Sequence, residues 1–394
     1  MTNVLVMIPA GEVYDHDCVR WYEYQKIQKF IEHYHNIGDA FVYDSSLKLL
    51  NYDRLEVINV ADFSQKDIDR FNAEFDYVFL RGSNYINADM DWRRTGEALE
   101  KLRIPVLAFG IGAQAPSKGP LVLSDETKRV LRMMADSTTS IGVRGIYTAE
   151  VLWGLGIKNV RVVGCPTAFR NNDPELRIDL PPLDAVKNVG VTLRREVSPT
   201  YAQNIERYLT FHRDIVKELA ARFDVTLMAQ GEVEEKKLVF GTSEQKEEGM
   251  AALKANGWVR QWYMDEEMER LYRSKLFYSD VVADYESLVR TKDLVLGYRL
   301  HGNLMALSNA VPSVYFTYDS RTVEFAETYA IPSHDVFSNK PFRLEDYWDQ
   351  ALFEKFNRAY HARYREMATF LEENRIDHKM RTGAMVRPAE RRVA

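Results

Sequence analysis

The sequence predicts an α/β protein built from two Rossmann-like domains with a cleft between them. Three observations carry this expectation. Short apolar runs alternate with helical patterns from end to end. A proline- and asparagine-rich break interrupts the alternation near the middle, after which it restarts. The length, 394 residues, suits two domains of ordinary size. Alternation of this kind builds parallel sheets covered by helices on both faces.

The elements follow in order. Val4–Ile8 reads as the first strand. A helix is expected over Arg20–His35, with Tyr24, Ile27, Ile31 and Tyr34 on one face at spacings of three and four. Further strand-like runs are Ala40–Tyr43, Leu55–Val60, Tyr77–Leu80, Val106–Phe109, Ser140–Val143 and Val160–Val163. Residues 171–187 hold Asn171, Asn172, Asp173, Pro174, Pro181 and Pro182 without apolar periodicity and read as a linker. This divides the chain into an N-terminal domain, 1–180, and a C-terminal domain, 181–394. The second series of runs is Val189–Leu193, Val225–Met228, Leu294–Leu296 and Val314–Phe316. The charged stretch 231–250 reads as a loop or an exposed helix. Phe353, Phe356, Tyr360, Tyr364, Met367 and Leu371 form a stripe that predicts a long terminal helix, and the arginine-rich tail from Arg381 is expected to be loosely held.

Composition excludes several classes. Lys and Arg total 52 against 58 Asp and Glu, a formal charge of −6, so a nucleic acid is not expected as principal partner. The two cysteines, Cys18 and Cys165, are far apart and suggest no disulfide framework. Cys165 has no nearby His or Asp and is expected to be buried. The opening residues lack a basic region followed by an apolar stretch, and no run approaches a membrane span, so a cytosolic location is expected. No nucleotide-binding GxxxxGK[ST] loop, GxSxG elbow or HExxH zinc motif occurs, and the histidines form no metal-ligand pattern, so no metal is expected.

In open parallel sheets, ligands bind beyond the carboxyl ends of the strands. The sharpest such position is Gly297-Tyr298-Arg299-Leu300-His301-Gly302-Asn303, between an apolar run and a helical pattern. Arg offers a planar fork for carboxylate or phosphate, His transfers protons near neutrality, and a helix start offers free amides. An anionic substrate needing acid–base help fits this combination. The strand Val189–Leu193 ends in Arg194 and Arg195, whose side chains leave an extended chain on opposite faces. The choice between them stays open, with Arg194 preferred as nearer the strand end. Other strand-end turns are Arg81-Gly82-Ser83-Asn84, Phe109-Gly-Ile-Gly112-Ala-Gln114 and Ser140-Ile-Gly-Val-Arg144. Asn36-Ile-Gly38-Asp39 lies between two of the expected elements.

An ordered set of these pieces resembles the polysaccharide pyruvyl transferase family. The set is Asn36-Ile-Gly38-Asp39, Phe109 through Gln114, Ser140 through Arg144 with Thr148, and Val163-Gly164-Cys165-Pro166. Arg299-Leu300-His301-Gly302 follows, with Ala310-Val-Pro312-Ser-Val-Tyr315 and Tyr318-Asp319 behind it. The resemblance implies a GT-B-like fold and transfer of pyruvate from phosphoenolpyruvate to a sugar as a cyclic ketal, with release of phosphate. It implies that Arg299 and His301 belong to the donor-binding and catalytic motif. Leu300 and Gly302 line that site, and Arg194 or Arg195 also contacts the donor. Gly112, Gln114, Arg144, Arg81, Asn84, Asn36 and Asp39 become candidate substrate-binding residues, the N-terminal domain facing the acceptor. Phosphoenolpyruvate is a substrate, and no cofactor is implied. The acceptor is a sugar of a polysaccharide or of its lipid-linked precursor. The latter would place the enzyme at the inner membrane surface, with Arg387, Arg391 and Arg392 as candidate contacts for anionic lipid. Two positions depart from the family pattern: the turn at Arg81–Asn84 has one glycine where several are usual, and Cys165 replaces an acidic residue. A nucleotide-sugar glycosyltransferase of the same architecture and a non-catalytic sugar- or phosphate-binding protein are the alternatives.

Overall fold

The computed structural model describes residues 1–9, 14–15, 20–21, 31–32, 34, 36–60, 62–195, 198–199 and 202–381. Most of the helix expected over Arg20–His35 falls outside these residues, and its first two, Arg20 and Trp21, form a strand instead; Cys18 and the three terminal arginines also lie outside. The first sheet contains β1 (Asn3–Met7), β4 (Arg54–Val57), β5 (Tyr77–Leu80) and β6 (Val106–Ala108); β2 (Tyr14–Asp15) and β3 (Arg20–Trp21) form a separate antiparallel pair. Its order is β4-β1-β5-β6, all parallel, with Val4 opposite both Leu55 and Tyr77. The parallel pair β7 (Ile141–Val143) and β8 (Val160–Val162) joins it through a bridge between Ile111 and Val143. The second sheet holds β9 (Asn188–Thr192), β10 (Asp224–Met228), β11 (Leu276–Phe277), β12 (Leu294–Gly297), β13 (Ser313–Thr317) and β14 (Ser333–Asp335). Its order, β11-β10-β9-β12-β13-β14, is the doubly wound 3-2-1-4-5-6 arrangement, and the direction of winding reverses between β9 and β12. Strands β5, β12 and β13 are buried along their whole length, as parallel strands covered on both faces must be.

Helices connect the strands: α1 (Ile37–Leu49), α2 (Gln65–Glu74), α3 (Arg93–Lys101), α4 (Asp125–Ser137) and α5 (Ile146–Gly154) in the first layer. The second layer has α6 (Ile205–Arg222), α7 (Val233–Phe240), α8 (Ser243–Ala255), α9 (Gly257–Trp262), α10 (Glu266–Lys275), α11 (Val282–Val289), α12 (Leu300–Ser308) and α13 (Ser320–Tyr329). The terminal helix α14 (Gln350–Glu373) buries all six residues of the predicted stripe. It packs on the first sheet: the Phe370 ring lies 5.9 Å from that of Phe109, and Arg161 binds Glu366 at 2.7 Å and Glu373 at 2.5 Å. Residues 171–187 carry one 3-10 turn, Leu183–Ala185, and are tied to α14 where the Ile178 amide donates to Asn357 at 2.9 Å.

Two sequence expectations are corrected. Ala40–Tyr43 is not a strand but the middle of α1. Asn36 caps that helix by accepting the Gly38 amide at 3.1 Å, and ten of its thirteen residues are buried. A helix apolar on every side has no readable period and resembles a buried strand. The stretch 231–250 contains two helices, and Glu235 and Lys236 are buried rather than solvated. Apolar packing forms three clusters: one around the first sheet, one around the second, and a third shared by α1, α12 and α14 that joins the two layers.

Candidate active site

The carboxyl ends of the two sheets face one another across a cavity of about 300 Å³. Loops after strands of the second sheet supply Arg194 after β9, Gln230 after β10, Tyr298 to His301 after β12, and Tyr318 with Arg321 after β13. The opposite wall carries Asn36 and Asp39 at the start of α1, Ser83 and Asn84 after β5, and Gln114 after β6. Tyr34 completes it. The second sheet therefore contributes the cations, and the first mainly amides and hydroxyls.

Local chain geometry sets each arginine. Arg194 and Arg195 diverge as an extended chain requires. Arg194 lines the cavity with its guanidinium 5.9 Å from the Tyr318 ring centre. Arg195 turns away into the second layer, where Nε donates to Glu235 at 2.7 Å and Nη2 binds Glu234 and Glu235. The N-cap of α12 is Arg299, whose side chain makes no capping bond. Its amide donates to the Thr192 hydroxyl at 3.2 Å, its Nε to the Leu193 carbonyl at 2.7 Å, and its Nη2 to buried Glu232. Nη1 has no hydrogen-bond partner among the described residues. Arg321 binds Asp319 through Nε at 2.8 Å and the Tyr318 hydroxyl through Nη2 at 3.3 Å. Three guanidinium groups thus converge on one cavity, two of them oriented by buried carboxylates.

His301 stands in the first turn of α12, edge-on to the Phe325 ring at 6.1 Å. Burial pushes its pKa down to about 3; Asp39 opposes this, while Arg144, Arg321 and Arg81 reinforce it. At that value the imidazole is neutral at pH 7 and able to accept a proton. A bound anion would offset the arginine field and raise the pKa. On the opposite wall, Asp39 accepts from Arg81 Nη1 at 3.1 Å and from Asn36 Nδ2 at 3.4 Å.

Of the residues singled out from sequence, the structure brings Asn36, Asp39, Asn84, Gln114, Arg194, Arg299, Leu300 and His301 to the cavity wall. It does not bring Arg81, Gly112, Arg144, Arg195 or Gly302 there. Arg81, 1% exposed, supports Asp39 from behind. Arg144 is buried beside Glu324 at 3.6 Å and donates to the Ala113 carbonyl. The two glycines serve packing: a Cβ on Gly112 would stand 1.7 Å from Arg144 Nε, and one on Gly302 would stand 2.3 Å from Gln230 Nε2. Tyr34, Ser83, Gln230, Tyr298, Tyr318 and Arg321 also line the cavity and were not singled out. Applying the strand-end rule to every strand finds Gln230 and Arg321; Ser83, Tyr298 and Tyr318 lie inside pieces already noted.

Among the described residues no cluster of His, Cys, Asp and Glu is placed to hold a metal ion, and no helix is long and apolar enough to cross a membrane. Cys165 is buried, as expected.

No curated protein matches the chain in sequence. Among solved structures, it is similar to the UDP-GlcNAc 2-epimerase of Methanocaldococcus jannaschii in complex with UDP-GlcNAc and UDP, at 14% identity over 92% of each chain and a TM-score of 0.42. A putative UDP-N-acetylglucosamine 2-epimerase from Listeria monocytogenes aligns at 10% identity over 97% of this chain and 100% of that one, TM-score 0.42. The glycosyltransferase SnogD from Streptomyces nogalater aligns at 11% identity over 94% and 96%, TM-score 0.36. The sequence pattern of the polysaccharide pyruvyl transferases matches residues 36–320, well over half the chain, and every residue of the cavity walls except Tyr34 and Arg321 lies within it. The chain belongs to the polysaccharide pyruvyl transferase family.

Proposed function

We propose that this protein transfers the pyruvyl group of phosphoenolpyruvate onto two hydroxyls of a sugar, in a polysaccharide or its lipid-linked precursor, forming a cyclic ketal and releasing phosphate. The observation that carries the reading is the convergence of Arg194, Arg299 and Arg321 on a small cavity beside a neutral His301. Phosphoenolpyruvate carries a carboxylate and a phosphate, and guanidinium forks match both. A volume of about 300 Å³ is at the small end of ligand sites, as suits a compact dianion or trianion.

The chemistry follows from atom balance. One sugar hydroxyl adds to C2 of the donor, and the C3 methylene gains a proton to become methyl. The second hydroxyl then takes the place of phosphate at C2. Each hydroxyl gives up one proton: one equivalent is taken up at C3, the other leaves with phosphate. Neutral His301 is the base that receives a hydroxyl proton, and the resulting imidazolium is stabilised by the bound donor's negative charge. The arginines stabilise the departing phosphate. Asn36, Ser83, Asn84 and Gln114 offer neutral donors and acceptors to the sugar.

Thermal unfolding with phosphoenolpyruvate, then with a panel of nucleotide sugars, tests this reading. A ligand in hundredfold excess over its Kd stabilises by about 2.7 kcal/mol. The expected result is a raised Tm with phosphoenolpyruvate that vanishes in Arg299→Ala. A rise with nucleotide sugars alone overturns the proposal in favour of glycosyl transfer.

A further inference from the structure

Helix α5 begins without a cap of its own. Its N-cap is Gly145, which has no side chain to receive the free amides of the first turn. The acceptor comes from the other layer. Glu324, in the middle of α13, reaches across so that Oε1 accepts the Thr148 amide at 2.7 Å and Oε2 the Thr148 hydroxyl at 3.0 Å. Glu324 is wholly buried, and Arg144 Nε lies 3.6 Å from Oε2. Gly145 makes the approach possible: a Cβ there would stand 2.2 Å from Glu324 Cγ. A carboxylate at a helix start is also favoured by the helix dipole.

The same helix carries Arg321 one turn earlier, on the cavity wall. Beside it, the Ser320 amide donates to the Ala115 carbonyl at 3.1 Å, and the Ser320 hydroxyl accepts the Ala115 amide at 2.9 Å. Ala115 adjoins Gln114, which stands on the opposite wall. Two ties therefore hold the start of α13 against the first layer, one by backbone and hydroxyl, one by a buried carboxyl group. Apolar side chains often replace buried ion pairs at no loss of stability, so a carboxyl bonded in this way can serve to fix a register.

We propose that Glu324 is a positioning residue. By capping α5 across the cleft, it fixes the α13 turn bearing Arg321 relative to the loop bearing Gln114, and so sets the separation of the two walls. The inference rests on the pyruvyl-transfer reading only for the identity of the group that crosses between those walls.

The test compares the full-length protein with Glu324→Ala and Glu324→Gln, using amide hydrogen exchange and phosphate release from phosphoenolpyruvate. Glu324→Ala is expected to speed exchange at least tenfold in the first turns of both α5 and α13 while leaving the β9–β12 ladder unchanged. In the folded enzyme, kcat/KM is expected to fall more than tenfold. Glu324→Gln keeps an oxygen for the Thr148 amide and is expected to recover part of both losses. Unchanged exchange at the start of α13, or a lowered Tm with kcat and KM intact, overturns the proposal and leaves Glu324 a structural cap. If Glu324→Ala does not fold, Glu324→Gln carries the same comparison, since Thr148→Val would remove both the hydroxyl's bond to Glu324 and the one it accepts from the Ala113 amide. If the wild-type protein neither binds nor turns over phosphoenolpyruvate, the function proposed above fails, and the exchange result alone decides the role of Glu324.

Discussion

Arg194 and Arg299 stand at the ends of two hydrogen-bonded neighbours, β9 and β12, and Arg299 Nε bonds the carbonyl of Leu193, the residue just before Arg194. Their separation is thus set by a sheet ladder running from the Val189–Leu294 pair to Thr192–Gly297. These are the strands between which the winding of the sheet reverses, where open α/β sheets place their ligands.

Adjacent arginines should give opposite phenotypes. Arg194→Ala is expected to raise the KM for phosphoenolpyruvate tenfold or more and leave Tm nearly unchanged. Arg195→Ala leaves the buried Glu235 carboxylate without its partner and is expected to destabilise by about 3–5 kcal/mol. Paired Tm and KM measurements check this; a KM effect confined to Arg195→Ala reverses the assignment.

His301 should not titrate in the physiological range when the cavity is empty. Its folded pKa of about 3 lies below the ordinary histidine value, so the fold favours the neutral ring. The stability this provides is present above about pH 6.5 and declines as the pH falls towards 3. Ring-proton NMR at pH 5 is expected to show a neutral imidazole, shifting towards the protonated form when phosphoenolpyruvate is added. His301→Gln is expected to lower kcat by about 10²–10⁴.

Glu232 should matter through Arg299. Burial pushes its carboxyl up, but Arg299, Arg195 and Arg194 outweigh this and hold it below the usual carboxylate range. Glu232→Gln releases the Nη2 end of Arg299. Calorimetric titration of the folded variant is expected to show donor affinity reduced at least tenfold; undiminished affinity shows that the Leu193 carbonyl suffices to hold the guanidinium.

Acid stability should depend on one buried fork. Arg170 binds Glu286 through Nε at 3.0 Å and Nη2 at 2.6 Å, and reaches Asp44 of α1 through Nη1 at 2.9 Å. Burial raises the Glu286 carboxyl, yet Arg170 and Lys48 prevail and bring it to about 2. Because the folded pKa is depressed, the contribution is complete above about pH 4.5 and is lost as the pH falls towards 2. It amounts to about 3 kcal/mol. Urea unfolding between pH 6 and pH 2 is expected to lose this part of its pH slope in Glu286→Gln.

The sequence displayed most of the strands, because β5, β12 and β13 are unbroken apolar runs of strand length. It displayed α14 because one face of that helix is apolar and the other charged. It hid α1, which is buried all round, and it hid the burial of Glu235, whose partner Arg195 is forty residues away. The donor side of the cavity was legible as strand-end arginines. Arg144 and Arg81 resembled site residues by the same rule, and only the packing of Glu324 and Asp39 against them shows that they lie behind the walls. Arg321 escaped notice because it follows its strand by four residues, on the far side of the Asp319 cap.

The apolar cluster shared by α1, α12 and α14 ties the two layers together. Severing the chain within 171–187 would not yield two free-standing pieces: one would lose the α14 seam over Phe109, the other the α1 surface against Leu304, and each would carry a bare greasy flank into water. Unfolding should accordingly proceed as one calorimetric transition, and movement between the layers should be a slight rocking about the seam rather than a wide swing.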